Sequence, residues 1–238
     1  MNETSISPQY IKDPNRLTKI LVLFLWIFLF SNALGIIIDV NVISLFNDIK
    51  SGETVTDAKA DASDQREALF AIGWLILFII TGIIFLKWIY RANANCRGFG
   101  AHEMKFSSGW SVGWYFIPFM NLFKPFKAME EIWLVSHKGP QKWQMIENAA
   151  KENKEKIILN LWWIFWIGSF ALSQLSSRSY NDAENVESLI NSYYISIADY
   201  CWAIILTLIA IKLVKAVQDS QNRLVEKVIS SNPFSRDS

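Results

Sequence analysis

The sequence predicts an all-α integral membrane protein with four transmembrane helices and an aromatic element, interfacial or re-entrant, on the cytoplasmic side. Three observations predict it. Uncharged apolar runs occupy Ile20 to Ile38, Ala68 to Leu86, Ile157 to Ser177 and Tyr200 to Ile211, the last extending back past Asp199. A bilayer core of about 30 Å needs roughly 20 apolar helical residues, and lipid cannot satisfy free backbone N–H and C=O groups, so such runs persist there only as closed helices. Secondly, charge alternates between the connections. Thirdly, one further uncharged segment, Phe106 to Phe123, is as long as a span but broken by Gly109, Gly113, Pro118 and Asn121. The 238 residues, 52% hydrophobic and 14% aromatic, are too apolar for an ordinary soluble domain and fit one membrane domain.

The net charge of +1 hides segregation. Lys12, Arg16 and Lys19 precede the first span, eleven basic residues lie between Lys87 and Lys156, and five lie from Lys212 to Arg236. Asp39 to Glu67 instead has seven acids against Lys50, Lys59 and Arg66, and Arg178 to Asp199 has four against one Arg. Basic loops stay in the cytoplasm, so both termini are expected there. In order, the chain reads as a cytoplasmic segment 1–19, a membrane domain 20–218 and a cytoplasmic tail 219–238. The spans fall at about 20–38, 68–90, 157–177 and 194–214, and the aromatic element at about 104–136. Ser31-Asn32-Ala33 could mimic a signal cleavage site, but the apolar run continues to Ile38, which suits a retained span. The apolar stretches Val42 to Ile49 and Val186 to Tyr194 are expected as short helices on the outer surface.

The second span is expected to run on as a helix through Arg97 and stop near Gly98 or Gly100. Lys87 and Arg91, one turn apart, reach phosphate head groups from one face, with Lys124 as a third contact. A helix from about Phe126 to Ser136 ends at Gly139-Pro140, and a charged amphipathic stretch from Gln141 leads into the third span. In the aromatic element Trp110, Trp114, Tyr115 and Trp133 are expected to anchor at the head groups. Pro118 breaks the helix, and Asn121, between Pro118 and Pro125, satisfies backbone groups the prolines free. Glu130 and Glu131 read as ion-paired or solvated.

The run WIYRANANCRGFGAHEMKFSSGWSVGWYFIPFMNLFKPFKAMEEIW resembles the signature of the bacterial membrane family known as domain of unknown function 4328. The resemblance rests on the helix end Trp88 to Arg97, the pairs Gly109-Trp110 and Gly113-Trp114, and Pro118, Asn121, Pro125 and Glu131-Ile132-Trp133. It covers roughly Ile20 to Gln218. It implies a multi-span protein of the bacterial inner membrane and no assigned activity.

Chemistry is sparse in the sequence. There is no nucleophile elbow, glycine-rich phosphate loop or H-E-x-x-H motif, and His102 and His137 lack partners at ligand spacing; no enzyme, cofactor or metal is expected. Cys96 and Cys201 sit at different membrane levels, so no disulfide is expected. Basic residues beside spans favour anionic lipid over nucleic acid, which is not an expected partner. Ser31 with Gly35, and Ser169 with Ser173, permit close helix approach, within the chain or in a homo-oligomer. The leading expectation is a non-enzymatic protein that binds a partner protein or lipid at its cytoplasmic face through Trp110, Trp114, Pro118, Asn121, Pro125, Glu131 and Trp133. The rival is a small transporter or channel in which Asp199, the acid interrupting the fourth span, and Asn121 contact the solute.

Overall fold

The computed structural model describes residues 13–140 and 156–231. The amphipathic stretch expected from Gln141 and the extreme termini therefore lie outside the described residues. Four helices are long and apolar enough to cross a membrane: α1 Asn15–Lys50, α2 Asp57–Gly98, α5 Ile157–Asn181 and α6 Val186–Ser231. Between α2 and α5 lie the single turn α3 Trp110–Gly113, two 3-10 turns at Trp114–Phe116 and Met120–Leu122, and α4 Lys124–Lys138. Among the described residues there is no strand. The protein is an all-α membrane protein.

Local chemistry starts and stops these helices. Asp13 accepts the backbone N–H of Asn15 at 2.9 Å and opens α1 beside Pro14. Asn185 and Ser188 cap α6 reciprocally: Ser188 N–H donates to Asn185 Oδ1 at 2.9 Å, and Asn185 N–H donates to Ser188 Oγ at 3.0 Å. Gly139, at φ +86° and ψ 162°, stops α4 in a conformation open in practice only to glycine.

At 36, 42 and 46 residues, α1, α2 and α6 are roughly 54, 63 and 69 Å long at 1.5 Å per residue. They overrun a hydrocarbon core, and this corrects two expectations. Val42–Ile49 and Val186–Tyr194 are not separate surface helices but continuations of α1 and α6. Residues 219–231 continue α6, with Ser220 and Gln221 buried.

The packing divides the chain into two units. The first comprises residues up to Val22, Ile83–Leu161 and residues from Ile211 on. Its core is dry and dense, with Leu21, Ile132, Val135, Leu159, Leu213 and Val217 fully buried, and polar residues are threaded through it. Thr18 donates to Gln218 Oε1 at 2.8 Å and accepts from Trp88 Nε1 at 3.2 Å. Gln221, 1% exposed, donates to the Ala92 carbonyl at 3.2 Å and to Ser136 Oγ at 3.1 Å. Two glutamines one turn apart on α6 thus tie that helix to α1, α2 and α4. A buried polar group left without such a partner costs about 1–3 kcal/mol, so the network fixes register as well as adding stability.

The second unit comprises Leu23–Gly82 and Trp162–Ala210. Within the most apolar windows of the four long helices only 22, 6, 11 and 28% of residues are buried inside the protein. Faces carrying Phe30, Leu69, Ile72 and Ile164 are therefore left to hydrocarbon. Polar atoms here are matched locally. Asn32 donates to the Phe28 carbonyl and accepts from Trp74 Nε1 at 3.3 Å, while Trp74 stacks on Phe78 at 5.5 Å between centroids. Past Ile38, Val42 and Ile43 pack with Ile190 and Tyr193 in a small core of their own.

Gly168 lets α5 and α6 approach. A Cβ there would overlap the Trp202 ring, which cannot turn away because its Nε1 donates to the Phe165 carbonyl at 2.9 Å and the ring stacks on Phe165. Gly168→Ala is expected to destabilise the second unit by about 1–3 kcal/mol, the usual cost of overpacking. A lowered unfolding midpoint in detergent, absent in a Gly109→Ala control where nothing lies within 4 Å, is the measurement.

Candidate functional site

The segment between α2 and α4 is held by its two flanking helices. From the end of α2, Arg97 Nη2 donates to the Met104 and Phe106 carbonyls at 2.9 and 2.8 Å, and Asn93 Nδ2 donates to Phe106 O at 3.2 Å. From α4, the Glu131 carboxylate accepts the N–H groups of Lys105 and Phe106 at 3.0 and 3.2 Å. Side chains on two helices thus satisfy an irregular backbone, whose polar groups need partners wherever they are buried. Glu131 is 5% exposed. Its carboxylate is buried and holds backbone, so the solvated face offered for it in the sequence does not form.

Beyond this clamp the chain forms an aromatic tip. Trp110 and Trp114 lie 4.8 Å apart between ring centroids, and the Lys124 ammonium sits 5.6 Å from the Trp114 centroid and 6.0 Å from that of Phe106. Such a cation–π contact is worth about 0.5–1 kcal/mol at an exposed site. The break after Pro118 is made by Phe119, at φ +62° and ψ −38°, with Met120 N–H donating to Pro118 O at 2.8 Å. That bond closes the rare, strained form of γ-turn, and Phe119 is the one non-glycine with positive φ among the described residues. The turn places Phe119 at the apex, 79% exposed, with Phe116 and Phe123 beside it at 72 and 67%.

The residues singled out in the sequence fall into three settings. Trp110 and Pro118 are exposed on the tip, and Trp114 and Asn121 are half-buried in it; Asn121 contributes its backbone N–H to Ile117 O at 3.0 Å. Pro125 and Trp133 are buried on α4. Trp133, 4% exposed and stacked on His137 at 3.9 Å, packs in the core and does not reach head groups, a correction to the anchor expected of it. Lys87 is exposed, whereas Arg91 donates to the Asp13 carbonyl at 3.1 Å. Asp199 belongs to the second unit, where it lines a cavity of about 350 Å³ with Trp74, Ser173 and Tyr200. Phe116, Phe119 and Phe123 were missed by a reading that weighted tryptophan and proline. Their signal was the recurrence of phenylalanine on both sides of Pro118.

On α4, Glu130 pairs with Lys127 at 2.9 Å and with Lys156 at 2.8 Å. Burial works against its charge, but the hydrogen bonds from Lys156 and Lys127 prevail and hold the carboxyl below its ordinary value of 4.5. A lowered folded value means stability that is present above pH 4.5 and lost as pH falls below it. Glu130→Gln is expected to lower the unfolding midpoint at neutral pH and to flatten its acid decline; pH-dependent melts of both proteins measure this.

No significant match to this chain exists among curated proteins or solved structures. A family model does match, over residues 51–219, which takes in the clamp, the aromatic tip, α2, α5 and α6 as far as Asp219. The first helix, which the sequence resemblance had included from Ile20, lies wholly before the match. The chain belongs to the family described as a domain of unknown function, DUF4328.

Proposed function

We propose that this is a non-enzymatic membrane protein that engages anionic lipid through its first unit, with Phe116, Phe119 and Phe123 in the acyl chains and basic residues at the phosphates. The observation that carries the reading is the cluster of three phenylalanines, each at least 67% exposed, at the apex of a strained turn. Strain of this kind, about 1–3 kcal/mol per residue, persists only where the surroundings enforce it. Each phenylalanine gains roughly 1.5–3 kcal/mol on full transfer from water to hydrocarbon. Lys87, Lys212 and Lys215 are exposed in the same unit, and a basic side chain near an anionic surface contributes about 1 kcal/mol.

The charge alternation supports the rest of the reading. Both termini and the first unit lie on the cytoplasmic side of a bacterial inner membrane, and the tip enters the inner leaflet from that side without crossing. Protein partners of that face would meet the polar surface of α4 rather than the tip.

The test uses the full chain in vesicles containing phosphatidylglycerol, with Cys96 and Cys201 replaced by Ser and a spin label at position 119. Oxygen should reach the label while a water-soluble nickel complex should not; a reference label at Asp219, exposed on α6, should show the reverse. Nickel access at 119 equal to that at 219 would sink the proposal. The triple change of Phe116, Phe119 and Phe123 to Ser should reduce the motionally restricted fraction of spin-labelled phosphatidylglycerol. Phe119→Gly should relieve the turn yet share that loss.

A further inference from the structure

A second cavity, of about 520 Å³, lies in the second unit. Asp39, Glu67 and Asp64 line it together with Phe46, Tyr193 and Tyr200. It shares Tyr180, Tyr193, Ser196 and Tyr200 with the smaller cavity that Asp199 lines. The two cavities together have four carboxylates in their walls, and no lysine, arginine or histidine. Arg66, beside Glu67 in the chain, is exposed and donates to Ser63 Oγ at 3.2 Å.

Asp39 distinguishes this place from a solvated acidic patch. The residue is 6% exposed. Its Oδ2, itself buried, has no hydrogen-bond partner. A buried carboxylate oxygen left unpaired costs more than a neutral group in the same position, and the residue that carries it lines the cavity. Glu67 is held beside it by Tyr193, whose hydroxyl donates to Oε2 at 2.8 Å. Tyr200 is pinned by Gly35, where a Cβ would come within 2.6 Å of the ring. Acid and aromatic walls are thus both fixed in place before any ligand arrives.

We propose that this cavity binds the ammonium group of an organic amine, with the Asp39 carboxylate as its principal acceptor and the tyrosine rings as its cation–π walls. Charge demands a cation. Two features favour an organic one over a bare metal ion. Among the described residues no group of three or more His, Cys, Asp or Glu is placed to hold a metal, and the volume of about 520 Å³ falls in the range of small-molecule pockets. Aromatic rings with carboxylates are the surroundings that stabilise alkylammonium groups. The amine is either a free solute or the head group of an aminophospholipid, since the same wall runs onto the apolar residues Ala68 and Ala71 that begin a span.

Calorimetric titration of the full-length protein in maltoside micelles with n-butylammonium chloride, against sodium chloride at equal ionic strength, tests the free-solute form. Native mass spectrometry of protein purified from phosphatidylethanolamine vesicles tests the head-group form. One of the two should show saturable binding that Asp39→Asn weakens about tenfold or more, as loss of a charged acceptor implies, while Glu187→Gln, an exposed acid elsewhere on α6, leaves it unchanged. Should Asp39→Asn fail to fold, Glu67→Gln in the same assays and competition by tetramethylammonium on the unaltered protein take its place. Absence of binding in both arms, binding indifferent to Asp39 and Glu67, or displacement by calcium but not by tetramethylammonium would each overturn the proposal.

Discussion

Everything in this molecule follows from the absence of water in the bilayer core, where a backbone N–H or C=O must find its partner inside the protein. Four long helices meet that demand for most of the chain. Where helix gives out, between α2 and α4, side chains take up backbone groups: Arg97 and Asn93 take the carbonyls of Met104 and Phe106, and Glu131 takes the N–H groups of Lys105 and Phe106. The aromatic tip can be irregular because this clamp stands behind it. Glu131, which reads as ion-paired or solvated in the sequence, and Arg97 hold this break in helical structure in place.

The same constraint explains the distribution of polar residues between the units. In the buried core of the first unit Thr18 bonds with Trp88 and Gln218, and Gln221 donates to the Ala92 carbonyl of a neighbouring helix. Most polar groups of the apolar spans answer instead to their own helix, as Thr81 does to Leu77 and Thr207 to Ala203, each at 2.7 Å. Asp39, just past the first span, departs from this pattern. Its buried Oδ2 is without a partner, and a carboxylate in that state beside an open cavity is the feature of the second unit that packing alone does not account for.

Several features of the fold were legible because they are linear in sequence. Gly139-Pro140 stops α4 and the helical run past the second span ends at Gly98, both as the residue types dictate. The short outer helices were not legible: Val42–Ile49 reads as a stretch of its own, yet it continues α1 because Ile190 and Tyr193 on α6 cover Val42 and Ile43. The candidate tip was legible as a segment but not as a surface. Trp133 and Phe119 are both aromatic and both near prolines, and only packing decides that the first is 4% and the second 79% exposed.

The sequence by itself determined the number of apolar helices, the family and the place where helical structure breaks, because the length and polarity of a run are local properties that hydrocarbon tests residue by residue. The tertiary structure alone decided which aromatic residues face outward, that Gln218 and Gln221 belong to a core, and that Asp39 and Glu67, 28 residues apart in the chain, share one cavity. Those outcomes depend on which helix faces lie together, and no periodicity within a single helix carries that information.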